Sequence, residues 1–125
     1  MPPSILITID VEDWFQVENF KQYIPFSTWS SYEFRVEKNV HRLLDLFDSC
    51  NSQPATRKME PGYELSAISY EESSKKNIKA TFFILGWLAE RLPHLVREIQ
   101  VRGHEVASHG FDHNLCYEEP KDRLK

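Results

Sequence analysis

Apolar positions follow two periods along this chain. Residues 4–10, SILITID, form a short β-branched and apolar run ending on a carboxylate, and read as a buried strand. Residues 30–50 change period. Ser30 and Glu33 have the S-x-x-E spacing of a capping box, and Val36, Val40, Leu43, Leu44 and Phe47 then recur on one helical face. A second apolar run, Ile78 to Leu85, reads as another buried strand. After a turn through Trp87, Pro93 suits the first position of a helix with Leu95, Val96 and Ile99 as its apolar face, and Gly103 stops it. HEVASH, residues 104–109, reads as a third strand.

Two stretches break this regularity. The segment after the first strand, VEDWFQVENFKQYIPFSTWSS, has no clear period and reads as a long ordered loop. Its aromatics Trp14, Phe15, Phe20, Tyr23, Phe26 and Trp29 either line a groove or cover one end of the core. Residues 51–77 are polar, contain Pro54, Pro61 and Gly62, and read as a solvent-exposed insertion.

The order strand, helix, strand, helix, strand argues for an α/β fold with parallel strands and right-handed crossovers. Ligands of such folds bind at the carboxyl ends of the strands, and the reactive side chains gather there. The first strand ends at Asp10, followed by Glu12 and Asp13; the third ends at His109, followed four residues later by His113. Imidazoles at that spacing converge on a helix or on a loop that curls like one turn. Two imidazoles and one carboxylate make a three-ligand set with open positions, suited to zinc and also to iron, cobalt or nickel. A second carboxylate would be free to act as general base in metal-assisted hydrolysis of an amide or ester. Either motif alone is weak, and the joint placement carries the argument. His104 is expected to bond backbone, while His41 and His94 are expected on helix surfaces. Asp112 either orients a ring or closes a turn.

Composition narrows the class. The 125 residues are of single-domain length, 41% hydrophobic and 13% aromatic, enough for a core. The net charge is -4 and the cations are scattered among the anions, which argues against nucleic acid as a partner. Cys50 and Cys116 have neither metal-motif spacing nor a disulfide framework. The start MPPSILITID does not read as a signal peptide and no stretch is long enough to span a membrane, so a cytoplasmic location is expected.

The blocks LITIDVEDWFQVE and KATFFILGWLAERLPHLVREIQVRGHEVASHGFDH together resemble the polysaccharide deacetylase family, the NodB-type carbohydrate esterases. The D-V-E-D-W motif is similar to a subgroup linked to exopolysaccharide biosynthesis. The resemblance implies the N-terminal portion of a distorted (β/α) barrel and removal of acetyl groups from N-acetylated sugar polymers with a divalent metal. It casts Asp10 as catalytic base, Glu12 or Asp13 as the metal carboxylate, and His109 and His113 as metal ligands. Glu12 is favoured because alternate residues of an extended segment share a side. The family's later motifs, including a general-acid His, are expected beyond Lys125, so residues 1–125 read as a partial domain expected to be inactive alone. A half-barrel would expose strand edges that favour self-association. The alternatives are a metal- or glycan-binding fragment without catalysis and an amidohydrolase of small ureides.

Overall fold

The computed structural model describes residues 5–52, 77–115, 117 and 120–122. Three short parallel strands, β1 (Thr8–Val11), β2 (Thr81–Ile84) and β3 (Glu105–Ser108), form an open sheet in the order β1-β2-β3. Helix α1 (Val36–Ser52) links β1 toward β2, and α2 (Gly86–Arg91) and α3 (Pro93–Val101) link β2 to β3. The expected alternation and parallel sheet are present. The expected insertion lies outside the described residues over 53–76, and its first two residues close α1.

The register aligns Ile9, Phe82 and Val106 across the sheet, and likewise Val11, Ile84 and Ser108. This face carries the core: Val11, Phe82 and Ile84 are buried with Val40, Leu44 and Phe47 of α1 and Leu95 and Ile99 of α3. The opposite face aligns Thr8 with Thr81 and Glu105, and Asp10 with Phe83 and Ala107. There Asp10 and Glu105 are exposed, and no helix of the described residues covers them. β1 is shorter than the expected run from Ser4. Pairing begins where β2 begins, with the Thr81 N–H donating to the Ile7 carbonyl, and Ile5 and Leu6 stay exposed below it.

Helix α1 does not start at a capping box. Ser30 and Ser31 belong to a 3₁₀ segment, Phe26–Ser31, and the α-helix begins only at Val36. The cap comes from 22 residues upstream. Asp13 Oδ2 accepts the N–H groups of Arg35 at 2.7 Å and Val36 at 3.0 Å, while Oδ1 accepts the N–H of Trp14 at 2.9 Å. A buried carboxylate thus satisfies donors that every helix start leaves free, and its charge opposes the positive end of the helix dipole.

The aromatic loop divides in two. Phe15 and Trp29 are buried and pack with Trp87, the rings meeting edge to face at 6.2 and 5.4 Å. Trp14, Phe20, Tyr23 and Phe26 remain exposed. The turn expected through Trp87 is the helix α2. Pro93 opens α3 as expected. At its end the His104 N–H bonds the Ile99 carbonyl and the Gly103 N–H bonds that of Gln100, with Gly103 at φ +85°. That is the Schellman closure, which only glycine enters without strain. Polar pairs bridge α1 and α3: His41 to Glu98 at 2.9 Å, His94 to Glu37 at 2.6 Å, and Arg102 to Asp45 at 2.8 Å.

His104 is buried between Phe47 and Phe82, and its Nδ1 accepts the Ala80 N–H at 3.2 Å. Burial holds the imidazole below its ordinary value near 6.5, with smaller and opposed influences from Asp48, Arg102 and Lys79. A protonated ring could not accept from Ala80.

Two predictions follow from these contacts. Asp13→Ala should destabilise the fold by about 2–4 kcal/mol, read by urea denaturation. For His104, the unfolded chain binds a proton below pH 6.5 where the folded chain does not. Stability therefore falls as pH drops from 6.5 toward the lower folded-state value. His104→Asn keeps an acceptor for Ala80 but does not titrate, so its denaturation midpoint should fall less than the wild type's between pH 7.5 and 5.5.

Candidate metal centre

The acids and imidazoles meet at the carboxyl end of the sheet. Alternation places Asp10 on the open face and buries Val11, and the next residue, Glu12, leaves the strand. β3 delivers His109 from the other edge, its N–H held by the Ile84 carbonyl at 3.0 Å. Beyond it the chain bends rather than forming a helix, with Gly110 at φ +77° and His113 at φ +64°. A histidine in the left-handed region is held there against an intrinsic preference, as happens where the surroundings over-determine a site.

The anchor is the start of α2. Gly86 N–H donates to the Gly110 carbonyl at 2.8 Å, and Trp87 N–H to that of Phe111 at 3.0 Å. The histidine loop thereby satisfies donors of the first helical turn. Gly86 permits the approach: a Cβ there would lie 2.8 Å from Phe111 Cδ2 and 3.3 Å from its Cα.

Among the described residues, Glu12, His109 and His113 form a group whose ligand atoms all lie within 4.8 Å of one another. Glu12 Oε2 is 3.0 Å from His113 Nε2 and 3.9 Å from His109 Nε2. The imidazoles stand nearly perpendicular at 85°, with centroids 4.9 Å apart. Tetrahedral ligands at zinc-like bond lengths would be separated by roughly 3.3 Å, between the two observed values. Although Glu12 Oε2 and His113 Nε2 approach to 3.0 Å, the buried Oε2 has no hydrogen-bond partner among the described residues. A buried carboxylate oxygen in that state is costly, and a cation between the three groups would satisfy it. The set can hold a divalent metal.

Asp13, the other carboxylate expected as a ligand, is not in this group. Both its oxygens accept backbone N–H groups at the start of α1. Asp10 is exposed on the same end and face, outside the three-residue group. His104 bonds backbone, and His41 and His94 pair with glutamates. Glu18, which the sequence did not single out, places Oε2 3.5 Å from His113 Nδ1. Its only signal was the acidic residue in a loop leaving the site.

Residues 68–125 match the polysaccharide deacetylase family. The peptidoglycan-N-acetylglucosamine deacetylase PgdA of Listeria monocytogenes is 33% identical over 93 residues, which is 74% of this chain and 18% of that protein. A peptidoglycan-N-acetylglucosamine deacetylase of Bacillus cereus is 36% identical over 53 residues, 42% of this chain and 19% of that protein. The chain therefore spans about a fifth of the length of these relatives. No solved structure gives a significant match. The deacetylase match covers β2, β3 and both histidines, and the family is generally divalent-metal dependent. Among the described residues, no helix is long and apolar enough to cross a membrane.

Gly86→Ala should displace Phe111 and the loop behind it. The expected result is a loss of about 1–3 kcal/mol in stability together with weaker metal binding by the folded protein, measured by competition with a chromogenic chelator. Unchanged metal affinity would show that the loop is not set by this contact.

Proposed function

We propose that this chain is the metal-binding portion of a hydrolase that removes acetyl groups from N-acetylated sugar polymers. The observation that carries the proposal is the convergence of Glu12, His109 and His113 on one point at the strand ends, with both histidines inside the segment that matches the deacetylase family. The half-exposed Phe26, which lines a pocket together with His113, favours a sugar polymer, because flat apolar rings stack on sugar faces.

In this reading Glu12, His109 and His113 hold the metal, zinc being the best match to a mixed nitrogen and oxygen set of three. Such a metal supplies Lewis acidity toward a carbonyl and a water of lowered pKa. Asp10 is the proton acceptor: it is exposed at the same end of the sheet, held there by its backbone pairing opposite Phe83, while its carboxylate makes no hydrogen bond among the described residues. The open sheet face then belongs to the interior of a distorted (β/α) barrel. The D-V-E-D-W motif further points to the exopolysaccharide-linked subgroup.

A second reading has its own support. None of the other three histidines lies at this site: His41 and His94 serve the helix pairs and His104 the core. Without an imidazole to protonate the leaving amine, the chain would bind metal or glycan without turnover.

The deciding experiment is metal content by elemental analysis of the wild type and a His109→Ala/His113→Ala variant, followed by acetate release from an N-acetylated oligosaccharide. The deacetylase reading expects stoichiometric metal that is lost in the variant and, in a complete deacetylase carrying this segment, acetate release abolished by chelator and decreased about 10²–10⁴-fold by Asp10→Asn. Metal uptake without acetate release would establish the binding reading, and a folded wild type without metal would overturn both.

A further inference from the structure

His113 meets a carboxylate at each ring nitrogen. On one side Nε2 lies 3.0 Å from Glu12 Oε2, within the metal group. On the other, Nδ1 lies 3.5 Å from Glu18 Oε2. Nδ1 is buried and has no hydrogen-bond partner among the described residues. Three further buried side-chain atoms share that state: Gln16 Nε2 and Trp29 Nε1 in the aromatic loop, and Glu12 Oε2. Native folds leave few such groups unpaired, and here two of the four belong to one centre.

A neutral imidazole carries one N–H and one lone pair, and the partner of one nitrogen decides what the other can do. A proton at Nε2 would serve Glu12 alone and would leave the Nδ1 lone pair facing the Glu18 carboxylate with no donor between them. A proton at Nδ1 has Glu18 as its acceptor. It also turns the Nε2 lone pair toward Glu12 and His109, where a cation satisfies Glu12 Oε2 as well.

The loop holds Glu18 in place for that role. Glu18 opens a 3₁₀ turn, Glu18–Phe20, closed by the Lys21 N–H on the Glu18 carbonyl at 3.1 Å. Its Oε1 lies 3.7 Å from Lys21 Nζ, so the lysine holds one oxygen and leaves Oε2 to the imidazole. The Glu18 side chain is half-exposed and free to rotate toward the roughly 2.7–2.9 Å of a charge-assisted hydrogen bond. Glu18 is not a fourth ligand: it lies outside the three-residue group and reaches the opposite nitrogen of the ring. Asp112, adjacent to His113, makes no ion pair with it among the described residues, so orienting the ring falls to Glu18.

We infer that Glu18 is the positioning residue of the metal centre: its carboxylate accepts from His113 Nδ1 and thereby commits Nε2 to a divalent cation. The inference rests on the metal-binding reading of Glu12, His109 and His113.

The test loads the ¹⁵N-labelled full chain with zinc and reads the imidazole nitrogens by long-range ¹H–¹⁵N correlation, with the His113 ring traced through its own backbone. Zinc is expected on Nε2, with a Nδ1–H that exchanges slowly with water. Zinc on Nδ1 overturns the proposal, and that reading needs no variant. Competition with a chromogenic chelator then compares affinities. Glu18→Ala should bind zinc about 10–100-fold more weakly, with a fast-exchanging Nδ1–H, while the metal-free chain keeps its urea midpoint. Glu18→Gln, which keeps an acceptor without the charge, should recover part of the loss. A weaker affinity that comes with a lowered midpoint and an unchanged Nδ1–H assigns Glu18 to the fold alone and overturns the proposal. Equal affinities of folded Glu18→Ala and wild type overturn it too, and leave the metal-binding reading standing. A folded wild type that takes up no zinc overturns both.

Discussion

The carboxylate of Asp13 ties the first strand to the first helix, and much of this structure hangs from it. It accepts three backbone N–H groups, two of them at the start of α1. A buried charge is tolerated only when its lone pairs are used, and here the partners are main-chain donors of fixed position. The loop after β1 therefore cannot slide along the helix end without stranding the charge. Gln16 closes the same turn by accepting the Asp13 N–H. Glu12, one residue earlier, inherits a fixed backbone without contributing a contact to the fold, and its carboxylate stays available to the imidazoles.

The histidine half of the centre is held by a matching device on the other side. The first N–H groups of α2 bond the carbonyls of Gly110 and Phe111, so each half of the site is secured to the start of a helix. In one case the acceptor is a side chain and in the other it is backbone. Both use donors that the helix itself leaves unsatisfied, which fixes a loop firmly without a large apolar contact. The left-handed His113 is a local cost accepted within that frame.

The amino-acid sequence made much of this legible, and the misses share a cause. Strand positions, the apolar faces of α1 and α3, the Pro93 start and the Gly103 stop are all local signals, carried by period and by residues with restricted backbones. The gathering of the acids with both histidines followed from strand ends, and the choice of Glu12 among the acids from the family resemblance and the alternation of an extended segment. The start of α1 was misread because Ser30 and Glu33 have capping-box spacing while the real cap is Asp13, distant in sequence and brought in by the tertiary fold. Asp13 carries the same lesson from the other side: the alternation of an extended segment favours Glu12 over it as metal carboxylate, and the donors at the start of α1 show what the Asp13 carboxylate does in the fold. Glu18 near His113, and the unpaired amide and indole of Gln16 and Trp29, depend on how an aperiodic loop folds back. No spacing rule encodes that.

The strand period of two explains why chemistry and stability coexist in so short a segment. In β1, Val11 is 1% exposed in the core while its neighbours Asp10 and Glu12 face the other way or leave the strand. β3 repeats the arrangement, with Val106 packed against the core and Ala107 on the open face two residues before His109. The apolar residue fixes the register and the acid or imidazole beside it is aimed by that register. A slip of one residue would drive Asp10 into the core and Val11 out of it, at the combined cost of a buried unpaired carboxylate and an exposed hydrophobe. The same burial that stabilises the sheet thus keeps the reactive groups on its open face, and the precision of the centre follows from the core rather than from contacts among the reactive groups themselves.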